Sequence, residues 1–109
     1  MMSLLDVTQL QLDDVTSYVY EGQAPGQHLL ILGGVHGNEI CGQHALAQLK
    51  NELDSGQLKL NKGRLTIVPY ANPRACIASC RYLEKNLNRV IAHHANPETY
   101  EEKLGRQIA

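Results

Sequence analysis

The stretch that decides the fold is LLILGGVHGNE, residues 29–39. The run from His28 to Gly34 is continuously apolar after its first residue, without the alternation of a half-exposed strand. It reads as a strand covered on both faces of a sheet. Gly33 and Gly34 then permit a tight turn and a close approach of backbone to a neighbour. From Asn38 the period changes: Gly42, Leu46, Leu49 and Leu53 fall on one helical face, and Asp54-Ser55-Gly56 supplies a stop. His36 and Glu39 therefore sit where a buried strand passes into a helix. In α/β sheets that is the carboxyl edge, outside which ligands bind.

Working outward, LTIVPY at 65–70 repeats the signature of a buried strand, and TSYVYEG at 16–22 is a shorter β-rich segment with Pro25-Gly26 marking a turn after it. ANPRACIASC at 71–80 reads as a short helix with Asn72 as cap and Pro73 in the first turn. Strand, helix and strand at this spacing make a βαβ unit. The fold class is α/β, a largely parallel or mixed sheet flanked by helices. The last segment, NPETYEEKLGRQIA at 96–109, opens with Asn96 as cap, Pro97 at the first position and acidic residues in the first turn. Tyr100, Leu104 and Ile108 then form a stripe. The chain stops at Ala109 with that helix uncapped, so the sequence predicts an incomplete domain.

Bulk properties narrow the classes. A chain of 109 residues is one domain at most, and a net charge of −1 with no basic stripe interleaved with aromatics excludes nucleic acid as the expected partner. No apolar run approaches the ~20 residues of a membrane helix. The N-terminal MMSLLDVTQLQLDD lacks the basic n-region of a signal peptide, so a cytoplasmic location is expected. Three cysteines, Cys41, Cys76 and Cys80, suit reduced thiols better than a disulfide framework. Trp and Phe are absent, which leaves the core to Leu, Ile, Val, Ala and Tyr.

His36 and Glu39, three residues apart, can converge on one ion, since imidazole nitrogen and carboxylate oxygen are both zinc ligands. Catalytic zinc typically has three protein ligands and an open position, so this pair supplies only part of a site. Taken as bare spacing, a helix cap or a surface pair is the more common use of such residues.

Further motifs change that weighting. GGVHGNE, then ANPRA at 71–75, then RYLEKNLNR at 81–89 together resemble the succinylglutamate desuccinylase/aspartoacylase family, relatives of the zinc carboxypeptidases. The resemblance is dense from about residue 28 to about residue 92. It implies a zinc-carboxypeptidase-like fold in which residues 1–109 are the N-terminal portion of a single zinc-dependent deacylase domain. His36 and Glu39 would be the first two ligands of one zinc ion, with the third ligand and a glutamate general base expected beyond residue 109. Arg81 matches the family's arginine near the scissile group, and Asn88 with Arg89 matches the pair that holds the substrate's carboxylate. Arginine's planar fork suits that task. The implied substrate is a small anionic N-acyl amino acid, N-succinylglutamate first. One departure is Asn86, where the family usually has an acidic residue. A carboxylate there would orient a neighbouring arginine more strongly than an amide does, so the change is expected to bear on the substrate and not on the metal.

Two other readings compete. A catalytically silent α/β module would use unpaired sheet edges for assembly or self-association. A structural zinc site could instead draw on Cys76, Cys80 and His93 or His94, although small thiols on a buried helix face are the more ordinary arrangement. His28 and His44 are expected to be exposed or hydrogen-bonded.

Overall fold

The structure is a computed structural model that describes residues 12–109, so most of the N-terminal stretch read above lies outside the described residues. Three strands, β1 (Tyr18–Glu21), β2 (Ala24–Leu32) and β3 (Lys62–Val68), form one sheet with β3 in the centre. β3 runs parallel to β2 and antiparallel to β1, so the sheet is mixed. Three helices accompany it: α1 (Ile40–Ser55), α2 (Pro73–Ala78) and α3 (Tyr100–Ile108), with a 3-10 turn at Leu87–Arg89. Among the described residues no helix is long and apolar enough to cross a membrane.

Alternation along β3 builds the core on both faces of the sheet. Leu65 and Ile67 pack with Leu46 of α1, joined by Leu49 and Leu53 of the predicted stripe. Val68 points the other way and packs with Ala71, Leu87 and Leu104. Tyr100 and Ile108 border that second cluster, so the stripe read along the C-terminal helix is the face that docks. α1 ends as the sequence predicts: Gly56 adopts φ 82° and returns its N–H to the carbonyl of Leu53. α2 is capped by the Asn72 side chain, which accepts from the Ala75 N–H, with Pro73 as the first helical residue.

Three local expectations are corrected. β2 is an edge strand, not one covered on both faces, and Leu29 and Leu30 remain 57% and 45% exposed. Among the described strands only β3 has a hydrogen-bonded neighbour on each side, so of these only β3 is buried as a continuous apolar run leads one to expect. Pro25-Gly26 lies within β2 instead of in a turn. The pairing register shifts there, from Ala24 opposite Lys62 to His28 opposite Arg64, which is how an edge strand absorbs a residue with no N–H to donate. Finally, Thr99 and not Asn96 caps α3. Its hydroxyl accepts from the Glu102 N–H while the Glu102 carboxylate takes the Thr99 N–H, and this reciprocal pair outcompetes a cap three residues earlier.

Candidate metal centre

The site begins with how the glycines let β2 meet α1. Gly33 donates to the Val68 carbonyl at 2.8 Å and accepts from the Ala71 N–H at 2.8 Å, tying the carboxyl ends of β2 and β3 together. Gly34 adopts φ 63° and accepts from the Asn72 N–H. Gly37 lies against α2 so closely that an added Cβ would stand 2.0 Å from the Ala75 carbonyl carbon. Only glycine fits so close an approach, so the loop that carries His36 packs directly on α2.

His36 and Glu39 do converge. The imidazole Nδ1 lies 2.9 Å from Glu39 Oε2. Glu39 begins α1 but makes no side-chain cap bond, so the capping use of this pair is not realised and its carboxylate is turned to the histidine. The other ring nitrogen, Nε2, lies 2.9 Å from Asn86 Oδ1. His36 is nearly buried, with 14% of its side chain exposed, whereas Glu39 is 67% exposed. The ring is thus held from behind, and the carboxylate opens toward solvent.

Both partners of this ring are acceptors. Asn86 Oδ1 also accepts the Asn88 N–H at 3.0 Å, which fixes which end of the carboxamide faces the ring. An ionised carboxylate can only accept, and a neutral imidazole has a single N–H. With that proton on Nε2, the Nδ1 lone pair faces a lone pair of Glu39. Such an arrangement is satisfied by a second proton or by a cation between nitrogen and oxygen. Imidazole nitrogen and carboxylate oxygen on a shared approach are a donor set that fits zinc. Among the described residues no third histidine, cysteine, aspartate or glutamate joins them.

The predicted substrate residues lie on the segment that meets this loop through Arg81 and Asn86. The Arg81 carbonyl accepts the Gly37 N–H at 3.3 Å, which brings the 81–89 segment alongside the His36 loop. Asn88 and Arg89 lie on the 3-10 turn that Asn86 caps, and both are exposed. The Arg89 guanidinium reaches only the carbonyl of Asn88, at 3.5 Å, and among the described residues neither Arg81 nor Arg89 pairs with a carboxylate. The role expected of Asn86 is corrected. Its side chain meets the metal-ligand candidate His36 and the Asn88 N–H and no arginine side chain, because the 3-10 turn folds it back toward the strand end.

Sequence reasoning missed Glu101. Its side chain is fully buried and accepts from the N–H groups of Leu83, Glu84 and Lys85 and from Asn72 Nδ2, at 2.7 to 3.0 Å. Burial pushes its carboxyl up, but those four donors outweigh that and hold it below the ordinary glutamate value. The signal was available: Glu101 shares a helical face with Leu104 and Ile108, where a solvated acid has no place. Cys76 proves to be packing. Its thiol points to the Gly34 carbonyl at 3.6 Å, and burial pushes it up to about 12. His94 donates its Nε2–H to the Val90 carbonyl at 2.7 Å, and His28 Nε2 meets Thr66 Oγ1 at 2.9 Å.

With this geometry in place, comparison with known proteins is decisive. Residues 25–109 match the model of the succinylglutamate desuccinylase/aspartoacylase catalytic domain. The chain belongs to that family. It is 36% identical over 92 residues to the mouse N-acyl-aromatic-L-amino acid amidohydrolase (carboxylate-forming), covering 77% of this chain and 27% of the mouse protein. Over 75 residues it is 29% identical to the succinylglutamate desuccinylase of Vibrio parahaemolyticus, covering 69% of this chain and 21% of that one. Among solved structures, an aspartoacylase family protein from Mesorhizobium loti superposes with a TM-score of 0.74 at 32% identity, covering 86% of this chain and 29% of that one. This member of the family therefore spans between a fifth and a third of the length of these relatives, as the 21% and 29% coverages bracket. Members with these names are acyl-amino acid deacylases, and the mixed sheet with its flanking helices is the fold they share with this chain.

Proposed function

We propose that residues 1–109 form the N-terminal portion of a zinc-dependent deacylase domain that hydrolyses an N-acyl amino acid, most readily N-succinylglutamate, to the free acid and amine. The observation that carries this reading is His36 Nδ1 at 2.9 Å from Glu39 Oε2, at the carboxyl end of β2. His36 and Glu39 would hold the ion, and zinc there supplies Lewis acidity toward an acyl carbonyl. Arg89 and Asn88 bind the substrate's carboxylate, and Arg81 stands near the scissile group. That neither Arg81 nor Arg89 pairs with a carboxylate among the described residues supports this, because an arginine already paired is not available to grip an anion. A general base and a third ligand belong to residues beyond 109, so the short chain is expected to be inactive by itself. The small anionic substrate and a cytoplasmic location are parts of the same proposal.

The test has two arms. Zinc binding to the 109-residue chain, followed by competition with a coloured chelator, should weaken at least tenfold in His36→Ala. Hydrolysis of N-succinylglutamate and N-acetylaspartate should appear in a longer reading frame containing this chain and be absent from the chain alone. Equal zinc affinity in wild type and His36→Ala overturns the metal assignment, and turnover by the short chain overturns the division of the site.

A second reading, a silent module that self-associates, is favoured by one observation: the exposed Leu29 and Leu30 on the β2 edge. Light scattering across a concentration series separates the two, since a monomer at all concentrations removes the support for assembly.

A further inference from the structure

We propose that Glu101 is a positioning residue for substrate: its buried carboxylate gathers the N–H groups of Leu83, Glu84 and Lys85 and so fixes the segment that carries Arg81, Asn88 and Arg89. The inference rests on the substrate reading above and deepens it.

This segment lacks the usual means of holding a shape. Between Ser79, which caps α2, and the Leu87–Arg89 turn, the chain is in neither helix nor strand. Residues 81–85 are all exposed, so apolar burial does not hold them either. The two ends are tied. The Arg81 carbonyl accepts the Gly37 N–H at 3.3 Å, and Leu87 is wholly buried beside Val68, Ala71 and Leu104. What lies between is held through its backbone by one acid. Glu101 Oε1 accepts from the N–H groups of Glu84 at 3.0 Å and Lys85 at 2.9 Å. Oε2 accepts from the Leu83 N–H at 2.7 Å and from Asn72 Nδ2 at 2.9 Å. Contacts also run the other way: the Glu84 carboxylate accepts the Tyr100 N–H, and Lys85 Nζ lies 3.5 Å from Glu102 Oε2.

Only a carboxylate satisfies this arrangement. Its roughly four lone-pair sites match the four donors. Asn72 cannot turn its own oxygen to Glu101, because that oxygen caps the Ala75 N–H. An amide at position 101 keeps one acceptor oxygen, and in either orientation its NH2 group faces two donors. It also loses the charge that makes such bonds roughly twice as strong as neutral ones. Glutamine has nearly the size of glutamate, so this substitution isolates what the carboxylate does. The consequence for binding follows from preorganisation. A fork and an amide that grip an anion do so best when already in place, since every side chain ordered on binding lowers the affinity. Glu101 does that ordering in advance, from inside the fold.

The experiment is amide hydrogen exchange, read by NMR, in the 109-residue chain and in Glu101→Gln. In wild type the Leu83, Glu84 and Lys85 amides should exchange at least about tenfold more slowly than in unstructured chain. In Glu101→Gln that protection should be lost while β3 keeps its own. In a catalytically active reading frame containing this chain, Glu101→Gln should raise KM for N-succinylglutamate about fivefold or more and change kcat by less than about twofold. A merely structural role would lower the amount of folded enzyme, which reads as kcat and leaves KM unmoved. Fast exchange at residues 83–85 in wild type overturns the proposal, and so does unchanged protection or unchanged KM in Glu101→Gln. Should Glu101→Gln fail to fold, the wild-type amides decide by the same criterion. An unchanged KM in Arg89→Ala would defeat the substrate reading instead; the exchange measurement needs no substrate and still judges Glu101.

Discussion

Asn72 Nδ2 donates to Glu101 Oε2 at 2.9 Å in the interior, although one residue caps α2 and the other lies in the first turn of α3. The same carboxylate collects the N–H groups of Leu83, Glu84 and Lys85. A single buried acid thus joins α3 to α2 and to the segment between Arg81 and the 3-10 turn. Through the Asn72 N–H bond to the Gly34 carbonyl, at 3.0 Å, it is also linked to the loop that presents His36.

Glu101→Ala should therefore destabilise the chain by about 3 kcal/mol or more, because it strands several buried donors at once and each costs about 1–3 kcal/mol. Chemical denaturation is the measurement. Glu101→Gln should cost less than alanine, since it retains an acceptor.

Stability should also fall in acid for a reason that Glu101→Gln removes. Burial alone would raise this carboxyl, but its four donors hold the folded value below the ordinary one. Its contribution is then complete above the unfolded glutamate pKa and is lost as pH falls through the lower, folded one. Denaturation midpoints followed from neutral to acidic pH should decline more steeply in wild type than in Glu101→Gln.

Two glycines should respond differently to alanine. At Gly37 the new Cβ would meet the backbone of Ala75 at 2.0 Å, and neither side can yield without moving α2 or the His36 loop. The expected loss is about 3 kcal/mol, the upper end for overpacking, together with weakened zinc binding. At Gly56 nothing lies within 4 Å, and only its φ of 82° resists, a strain of about 1–2 kcal/mol. Thermal melts of both variants, with zinc titrations, check the contrast.

Alkylation should discriminate among the cysteines. Cys41 is exposed, whereas burial pushes the Cys76 thiol up to about 12 and removes the thiolate that reacts. At mildly alkaline pH, iodoacetamide should label Cys41 within a time that leaves Cys76 unmodified, as read by peptide mass spectrometry. Rapid labelling of Cys76 in folded protein would contradict its packing against Gly34.

Arg89→Ala should raise KM for an anionic N-acyl amino acid by at least about tenfold in a catalytically active reading frame, the loss of one charged hydrogen bond worth about 1.5–3 kcal/mol. Arg89→Lys should recover only part of this, because a point charge cannot form two parallel bonds. Steady-state kinetics with a charged and an uncharged acyl substrate provide the check.

Features set by neighbouring residues were legible in the sequence. The stop of α1 at Gly56, the Asn72-Pro73 start of α2 and the stripe of α3 all follow from local chemistry and a 3.6-residue period. So does the convergence of His36 with Glu39, since three residues at a helix start determine their separation. Local rules also misled where two caps competed, and Thr99 prevailed over Asn96 because Glu102 completes a reciprocal pair that Asn96 lacks. What tertiary structure alone decided involves partners distant in the chain. Asn86 meets His36 across 50 positions, and Glu101 meets Asn72 across 29. Sequence likewise could not say which apolar strand would be central, because β2 and β3 carry similar runs. Only the order β1-β3-β2 buries one and leaves Leu29 and Leu30 of the other exposed. Periodicity records which face of an element is apolar; which neighbour covers that face depends on the path of the whole chain.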